Sequence, residues 1–524
     1  MSSIVTIPKL DIELDGMPIP AEEARTLAEV RVHQRLSLPS VCELTFHEPG
    51  GSLAGDAALL PGASLHIRVE GYPEPPLFDG EVTAVTYEYG PSRERLIRIR
   101  GYDFLHRLRK RQPVGAHVQL NLNELAQALV ADLGVAVAAV DPGPLRQNII
   151  QYNQSDLDLI TQAAEQCGLY FTLRDGTLHL LTLEGIGNPV HLELGSSLLE
   201  VRIEVNTDSI CRSVETTGWD PHRVEPVSGR ADRARVSRRV AVRLAPDRVG
   251  GSEQRTIVDE ALQDDRQADG IAQAELDRRV AREVILWGSA EGDPHLQPGT
   301  PVAVSGVAES VAGRYVLTAV DHIIDHTRGY VSEIDTTPPR PGTRSRTAAS
   351  TLGVVSQIED PDGRGRVRVV LPNFGGVETS WLPVVVPGAG PDKGLIALPD
   401  VDDQVLVLFL NEDPDQAIVL GGLYGADGPP DAGVEEGAVR RYTFTTPGAQ
   451  RIQLDDGGRT VVIENSNGDF IRLAPEEVRL GDNQGSLIEL TPGRCRIHAA
   501  ADLEIGAPGK KVTISGQAID FERA

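Results

Sequence analysis

Four side chains that can bind a metal ion lie close together in the sequence DHIIDH, which covers residues 321–326. They are Asp321, His322, Asp325 and His326, and imidazole and carboxylate groups are common zinc ligands. The flanking residues, however, alternate between apolar and polar on both sides of Gly329, as in a pair of strands. On a strand, His322 and His326 face the same way but lie about 13 Å apart, at about 3.3 Å per residue. We therefore expect a strand pair here and no metal site.

No other catalytic arrangement stands out in the sequence. The serine-hydrolase motif Gly-x-Ser-x-Gly does not occur, and the His, Cys and Asp residues are too scattered to nominate a triad. Acidic residues are numerous, but no pair on one helix suggests the two carboxylates of a glycosidase. The sequence therefore predicts a protein that is not an enzyme, with no catalytic residues and no cofactor.

The alternating arginines Arg364, Arg366 and Arg368 form the basic run of the middle section, where a nucleic-acid site would need a basic groove and aromatic platforms. That section, residues 351–425, carries eleven acidic against four basic residues. The whole chain of 524 residues has a net charge of −26, and phosphate groups repel such a surface. Alternate residues of a strand share one face, so these arginines more simply form a solvated or intersubunit face. We expect no nucleic-acid partner.

The cysteines Cys42, Cys167, Cys211 and Cys495 lie far apart and form no Cys-x-x-Cys motif. This spacing is typical of unpaired thiols in a reducing compartment. The N-terminal sequence MSSIVTIPKLDIELDG lacks the basic start and apolar core of a signal peptide. No apolar run reaches the length of about 18 residues that a transmembrane helix needs. The sequence thus predicts a protein that folds in a reducing compartment and that leaves the cell, if it does, by a route other than a signal peptide.

The elements around these residues are mostly short strands, as expected for a chain with 53 Gly and 36 Pro. A helix is predicted over residues 121–134, with Asn121 or Asn123 as its N-cap. A second helix is predicted between the cap Ser155 and the stop signal Gly168. Asp175-Gly176 predicts a hairpin, and Ile271–Trp287 a helix that continues into a strand. The first section is therefore mixed.

Two stretches that are poor in core residues separate the later sections, at residues 338–350 and 426–440. The section between them contains five or six short strands with Pro, Asp, Gly and Asn turns. Such a pattern over about 75 residues favours a small closed barrel of the oligonucleotide/oligosaccharide-binding (OB) type.

The last section repeats apolar pairs with one residue between their members, separated by Gly, Asn, Asp and Pro. The pairs are Ile452/Leu454, Val461/Ile463, Ile471/Leu473, Val478/Leu480, Ile488/Leu490, Cys495/Ile497, Leu503/Ile505, Val512/Ile514 and Ile519/Phe521. Repetition at this spacing predicts stacked strands, as in a β-helix or β-prism. Two buried residues per strand contribute about 1.5–3 kcal/mol each, against about 1–2 kcal/mol per residue for ordering the backbone. We therefore expect this section to be stable only when three chains wrap together.

The middle section closely resembles the OB segment of the valine-glycine repeat protein G (VgrG) spikes of type VI secretion, and it is similar to the baseplate spikes of contractile phages. The shared pattern runs from D-P-x-G-x-G-R-V-R-V to N-x-D-P and V-L-G-x-L-Y. Its residues here are Asp360, Pro361, Gly363, Gly365, Arg366, Trp381, Pro399, Asp403, Val405, Asn411, Asp413, Pro414, Gly421 and Tyr424. Weaker similarity to the tail-hub half of the family occurs at residues 101–109, 155–180 and 218–221, and to the start of its needle at residues 445–465.

The resemblance implies a homotrimer whose hub seats the inner tube, with a collar of OB barrels and a needle that points at the target. It implies as partners the other copies of the chain, an inner tube protein or tube-initiator ring, baseplate components and a PAAR-type tip protein, with membrane contact only during puncture. The last needle residues Val512, Ile514, Ile519 and Phe521 are the candidates for the tip contact. No segment between Tyr424 and Arg440 is long enough for a lysozyme domain.

The predicted fold is mainly β with a small α+β portion: tail-hub β-barrel domains, an OB-fold barrel and a C-terminal intertwined trimeric β-helix or β-prism. The predicted division is a hub-like region 1–337, with two β-barrel parts around an α+β insert at about 101–200, a linker 338–350, an OB domain 351–425, a linker 426–440 and a needle 441–524. The predicted function is the central spike of a contractile injection machine, which pierces the target envelope outside the producing cell. The alternative is a spike of type VI secretion or of a phage that also degrades the envelope.

Overall fold

The computed structural model describes residues 7–49, 61–72, 74–91, 94–220, 225–260, 262, 264–342, 349–410, 413–425 and 428–522. Side chains are described for these residues except at positions 220, 248, 259, 260 and 413–415. The backbone forms two compact units, Met1–Leu423 and Tyr424–Ala524, which are treated separately. Over the described ranges, no helix has the length and apolar character needed to cross a membrane.

The first unit is built mainly from short strands. In chain order they are β1 (Leu10–Leu14), β2 (Met17–Pro18), β3 (Leu27–Arg35), β4 (Val41–His47), β5 (Ser64–Val69), β6 (Phe78–Tyr89), β7 (Arg95–Tyr102), β8 (Gly115–Leu120), β9 (Ala136–Ala139), β10 (Arg146–Gln151), β11 (Tyr170–Arg174), β12 (Thr177–Leu181), β13 (Val190–Glu193), β14 (Leu198–Val205), β15 (Ser213–Asp220), β16 (Glu225–Ala231), β17 (Arg239–Val240), β18 (Gln254–Glu260), β19 (Val284–Glu291), β20 (Pro301–Ser305), β21 (Gly313–Val316), β22 (Ala319–Asp325), β23 (Gly329–Asp335), β24 (Ala349–Gln357), β25 (Arg368–Leu371), β26 (Val377–Glu378), β27 (Ala389–Gly390), β28 (Lys393–Gly394), β29 (Gln404–Leu410) and β30 (Asp413–Gly422). The helices are α1 (Ala21–Ala24), α2 (His106–Arg109), α3 (Leu122–Val130), α4 (Asp156–Cys167) and α5 (Asp265–Arg282).

A curled half-barrel sheet is the largest element of this unit. Eleven antiparallel strands follow one another in the order β14-β19-β23-β22-β3-β4-β7-β6-β5-β1-β2. Its strands alternate between buried and exposed residues, so that Val32, Leu44 and Ile99 are fully buried on one face. The other face carries polar pairs such as Arg100 and Glu43, whose Nε and Oε1 atoms lie 2.8 Å apart. Strands that precede and follow residues 103–197 in the chain thus share one sheet.

The segment between those strands contains the α+β part that the sequence predicts. Asn121 caps α3 and Ser155 caps α4, and each forms a capping box with the residue three positions later. Gly168 ends α4 in a left-handed conformation with φ of 65°, which glycine adopts without steric cost. The predicted hairpin at Asp175 is confirmed, because β11 and β12 pair on either side of it. Local signals are therefore sufficient for the starts of both helices, for the end of α4 and for the hairpin. The predicted extent of α3 up to Gly134 is wrong, because the helix ends at Val130 and residues 131–134 form a turn.

Helix α5 packs on the small sheet β16-β15-β18 and differs from its predicted bounds. It begins six residues before Ile271, because the Asp264 side chain accepts a hydrogen bond from the backbone N–H of Gln267 at 2.9 Å. The helix ends at Arg282, and β19 starts at Val284. The prediction of a helix up to Trp287 is thus wrong beyond Arg282, where the chain enters the large sheet.

Residues 349–422 form the OB barrel. Its sheet has the order β26-β25-β24-β29-β30, and the segment at Leu382–Val384 bridges Val367 on one side and Val419 on the other. This segment closes the barrel around a core that includes Val407 and Phe409. The Phe374 ring lies 5.3 Å from the Phe409 ring and 4.6 Å from the Tyr152 ring. An aromatic contact thus joins the barrel to the α+β segment.

The second unit is an antiparallel meander. Its strands are β31 (Val434–Glu435), β32 (Ala438–Val439), β33 (Arg441–Thr445), β34 (Arg451–Asp455), β35 (Thr460–Glu464), β36 (Phe470–Ala474), β37 (Glu477–Gly481), β38 (Leu487–Thr491) and β39 (Arg494–His498). From β33 to β39, each strand pairs with the next one along the chain. The predicted β-helix or β-prism is therefore not formed by the single chain. Short turns return the chain antiparallel to itself, whereas a parallel coil needs longer crossovers.

Candidate assembly surface

The strand register of the second unit aligns the predicted apolar pairs in two columns on one face of the sheet. We call this surface the apolar face. One column is Phe444, Ile452, Ile463, Ile471, Leu480, Ile488 and Ile497, and the other is Tyr442, Leu454, Val461, Leu473, Val478, Leu490 and Cys495. Each residue is directly opposite the next member of its column. Seven strands at about 4.8 Å spacing make a stripe about 30 Å long.

The apolar face is open in the single chain. Val461 is half-buried, and the exposed fractions of the other large side chains run from 37% at Val478 to 59% at Tyr442. Isolated exposed apolar residues are common, but contiguous stripes of this length mark interaction sites. The face therefore needs a covering surface that this unit does not itself supply in the described residues.

The opposite face of the same sheet is mainly polar, apart from the half-buried Val462, Phe470 and Leu487. The Arg451 guanidinium lies 2.6 Å from the Glu464 carboxylate, and the Arg479 guanidinium lies 3.0 Å from that of Glu489. Arg472 is exposed on the same face, opposite Arg479. The polar face is thus compatible with exposure to water, whereas the apolar face is compatible with burial against another apolar surface. Antiparallel sheets with a single buried side have this arrangement.

Asx turns organise one edge of this sheet. The Asn465 carboxamide oxygen accepts hydrogen bonds from the backbone N–H groups of Asn467 and Asp469. The Asp482 carboxylate accepts from the N–H of Ser486 at 2.7 Å, and such bonds lower its pKa. The N–H of Asn483 donates to Asp469, which links two of these turns. Short Asx turns are what Asn and Asp favour, and they hold the columns in register.

Beyond His498, the described chain to residue 522 contains no strand. The pairs predicted at Leu503/Ile505, Val512/Ile514 and Ile519/Phe521 lie here in segments without a sheet partner. The candidate tip residues are exposed: 48% for Val512, 63% for Ile514, 49% for Ile519 and 91% for Phe521. The strand pattern thus continues in the sequence past the end of the sheet.

Two aromatic residues of the apolar face are not among the apolar pairs predicted from the sequence. Tyr442 and Phe444 extend the columns by one strand, opposite Leu454 and Ile452. The alternation Tyr-x-Phe beside the predicted linker is the signal that identifies them. The strand is anchored at Arg441, whose guanidinium donates two hydrogen bonds of 2.7 and 2.9 Å to the Asp431 carboxylate.

The OB motif residues around Asp360 form a tight turn. The Asp360 carboxylate binds the Arg366 guanidinium at 2.7 and 3.0 Å and accepts hydrogen bonds from the N–H groups of Asp362 and Arg364. Its side chain is only 3% exposed. These contacts, with Arg366 the strongest, hold the pKa of Asp360 well below its usual range. Gly363 and Gly365, which follow Pro361 in the sequence, turn the chain with φ of 65° and 69°. Arg366 therefore serves structure, and Asp360 is not an open ligand.

The other motif residues also lie at turns and bulges. The Arg368 guanidinium stands 5.9 Å from the Trp381 ring. The Asp403 carboxylate accepts a 2.8 Å hydrogen bond from Asp400, just after Pro399. Gly421 lies at a bulge between β29 and β30, and Tyr424 is 71% exposed. Asp413 and Pro414 begin β30, and Asn411 lies outside the described residues. The motif thus builds the barrel, and its members are not gathered into one site.

Residues 321–325 of the DHIIDH segment lie on β22, which pairs with β23 as predicted, and His326 lies in the turn between the two strands. Asp321 Oδ1 lies 3.0 Å from Nδ1 of His33, and the Asp325 carboxylate binds Arg328 at 2.9 Å. His322 is 1% exposed, its Nδ1 lies 2.9 Å from Ser332 Oγ, and burial lowers its pKa to about 4. Over the described ranges, no cluster of three or more His, Cys, Asp or Glu side chains has the geometry for a metal ion.

Comparison with known families matches the two parts of the first unit. Residues 351–424 match the model of the type VI secretion system/phage-baseplate injector OB domain. Residues 6–326 match the model of the Alg8 N-terminal domain. A relative with a curated description, the type VI secretion system spike protein VgrG2a of Pseudomonas aeruginosa, is 28% identical over 127 residues, which are 22% of this chain and 15% of that protein. The matched segments span only 12–15% of the lengths of the curated relatives.

Solved structures share the fold. One is the E. coli c3393 protein, described as a type VI secretion component with structural similarity to the T4 phage tail proteins gp27 and gp5. It has 13% identity and a TM-score of 0.53, over 79% of this chain and 99% of that chain. Another is the Francisella PdpA–VgrG complex, with 10% identity and a TM-score of 0.53, over 93% of this chain and 79% of that chain.

These matches define a class of β-rich baseplate spike proteins that carry an OB domain. The chain belongs to the Alg8 N-terminal domain family, whose model covers more than half of it. It is similar in its OB domain and in its fold to the VgrG and phage-tail spike proteins.

Proposed function

We propose that three copies of this chain form the central spike of a contractile injection machine. In this assembly the region 1–337 is the hub that seats the inner tube or its initiator ring on the baseplate. The OB domain, 351–425, forms a collar between the linkers 338–350 and 426–440. The region 441–524 forms an intertwined needle that pierces the target envelope.

The observation that carries the proposal is the open apolar face. Three such sheets, each with its apolar columns inward and its polar face outward, would form a rod with an apolar interior and a solvent-exposed polar surface. Interchain contacts would cover side chains that are 37–59% exposed in one chain, which removes apolar surface from water. A rigid rod with these properties suits puncture. The similarity to spike proteins supports the same role.

The residues past His498 support a needle end that is completed by assembly. Their apolar pairs continue the pattern of the sheet but lack a strand partner in the described chain. We propose that the other copies supply it, and that Val512, Ile514, Ile519 and Phe521 at the far end contact a PAAR-type tip protein. The spike would be assembled in the cytoplasm, act outside the producing cell and have no catalytic activity of its own. Contact with a membrane would be limited to puncture.

Light scattering of the purified full-length chain at two concentrations tests the assembly. The expected mass is three times 56.3 kDa, and it should persist on dilution because the needle chains are intertwined. A stable mass of 56.3 kDa at both concentrations would contradict the proposal, since the apolar face would then remain open in solution.

A further inference from the structure

Strand β29 is apolar on both of its faces. Its sequence is QVLVLFL, and Val405, Val407 and Phe409 point into the barrel core, where they are at most 1% exposed. The alternate residues Leu406 and Leu408 lie on the outside of the barrel and are half-buried. A strand with water on one side alternates apolar and polar residues, whereas a continuous apolar run is typical of a strand covered on both faces. The outside of β29 therefore has the composition of a covered surface.

Neighbouring strands extend this outer surface. Leu352 of β24 is directly opposite Leu406, and Ile418 of β30 is directly opposite Leu408. Leu352 is 38% exposed, and Leu420 on β30 is 40% exposed. We call these five residues, Leu352, Leu406, Leu408, Ile418 and Leu420, the outer patch.

The residues next to the outer patch on the same strands are mostly uncharged. They are Ser350, Val354, Gln404, Leu410 and Gln416, and the charged Asp413 lies opposite Leu410 at the far end of β30. Charged residues make up 24% of the whole chain, and its net charge is −26. Copies of such an acidic protein repel one another wherever acidic surfaces meet. An uncharged apolar surface is thus suited to contact with a second copy.

A loop of the same domain presents a different apolar surface. Between β28 and β29, Leu395, Ile396 and Leu398 are 53%, 80% and 41% exposed. We call residues 395–398 the collar loop. The N–H of Leu395 donates to the carbonyl of Gly388 at 3.1 Å, which anchors the base of the loop to the hairpin β27–β28. The loop is therefore held by its backbone, while its large side chains stay in solvent.

We propose that the collar loop of one copy packs on the outer patch of the next copy, so that three OB domains close a ring. The inference rests on the proposed trimer and adds a contact that is separate from the needle. Because the two surfaces differ, the contact is head-to-tail, and a head-to-tail contact that closes gives a ring. In a dimer with twofold symmetry, each surface would instead contact the same surface of the other copy. The occupant of the outer patch is thus the neighbouring copy's collar loop.

Cysteine cross-linking of the full-length chain tests this contact. In a Cys495→Ser background, the remaining cysteines Cys42, Cys167 and Cys211 are buried. A chain that carries both Ile396→Cys and Leu408→Cys should give a covalent trimer with a bismaleimide on a denaturing gel. The matched control pairs Leu408→Cys with Val258→Cys, whose position is 56% exposed on β18. This control should stay a single chain on the gel.

A single substitution tests the same contact if the double cysteine variant folds poorly, with dissociation of the trimer on dilution as the measurement. Leu408→Glu should raise the concentration at which the trimer dissociates by about tenfold or more, and Val258→Glu should leave it unchanged. If the wild-type mass is that of a trimer but neither effect appears, the ring contact is wrong while the spike proposal stands. Dimers from the Leu408→Cys single variant would overturn it too, because they require patch-to-patch contact. A monomeric wild-type chain would overturn both proposals.

Discussion

Replacing Leu480 by aspartate in the middle of the apolar face should dissociate the trimer. Leu480 is 49% exposed in the single chain, between Ile471 and Ile488 in its column. A fully buried leucine contributes about 1.5–3 kcal/mol, so covering the exposed half contributes about 1 kcal/mol per copy. A carboxylate buried without a partner costs about 2 kcal/mol or more in addition. The loss is about 3 kcal/mol per copy and about 9 kcal/mol per trimer, or about a million-fold in the association constant.

Sedimentation of full-length Leu480→Asp at two concentrations measures this effect. The expected result is a mass of 56.3 kDa at concentrations where the wild-type chain stays at three times that value. The matched control is Arg472→Asp, which places the same side chain on the polar face one strand away. Its mass should not change. A Leu480→Asp chain that keeps the trimer mass on dilution would refute the assignment of this face to the interior of the needle.

Three further results follow from the same contacts. Asp360→Ala should lower the free energy of unfolding by about 2 kcal/mol in chemical denaturation, because the largely buried Arg366 guanidinium loses both of its bonds to Asp360 and keeps only its contact with Asp362. Asp362 is 55% exposed, so its replacement by alanine should cost less than about 1 kcal/mol. Burial holds the pKa of His322 at about 4, below its ordinary value of 6.5. As the pH falls, the unfolded chain therefore takes up a proton before the folded chain does, and the free energy of unfolding should drop by about 3 kcal/mol between pH 6.5 and 4. A His322→Asn chain that keeps the whole drop would contradict this expectation. The Cys495 thiol should react with a maleimide at least about tenfold more slowly in the wild-type trimer than in Leu480→Asp, as measured by mass spectrometry, because the interface excludes the reagent.

Local signals in the sequence are enough for the whole of α4 and for the start of α3. Ser155 and Gly168 define α4 to the residue, because the hydrogen bonds at both ends depend on neighbours in the sequence. The start of α5 was missed, since its first turn lacks an apolar pattern and depends on Asp264 as the cap. Its end depends on the large sheet, which takes up the chain from Val284. That competition between helix and strand involves distant residues and cannot be inferred from the segment alone.

The apolar pairs of the second unit were predicted correctly as strands up to Ile497, but their topology was not. A short strand followed by a tight turn fits both a meander and one coil of a β-helix. The choice depends on whether the next strand pairs within the chain, and here it does from β33 to β39. The three pairs past His498 have no such partner. In the proposed trimer the other copies supply their strand partners, and such contacts between copies do not follow from local spacing.

The OB motif shows a different limit. The sequence pattern singled out Asp360 and Arg366 but not their contact, which depends on the two glycine residues at 363 and 365 that bring the chain back on itself. The alternate arginines were expected on a solvated or intersubunit face. Arg368, which is 31% exposed, binds Glu378 at 2.9 Å. Residue types thus located the turn, while the turn geometry determined which charges meet.

Cryo-electron microscopy of the purified full-length chain tests the central claim most directly. The expected particle has threefold symmetry and a rod in which Ile471 and Leu480 of each copy face the axis, with Arg472 and Arg479 on the outside. Single-chain particles, a twofold pair, or a threefold particle whose rod turns the polar face inward would contradict it.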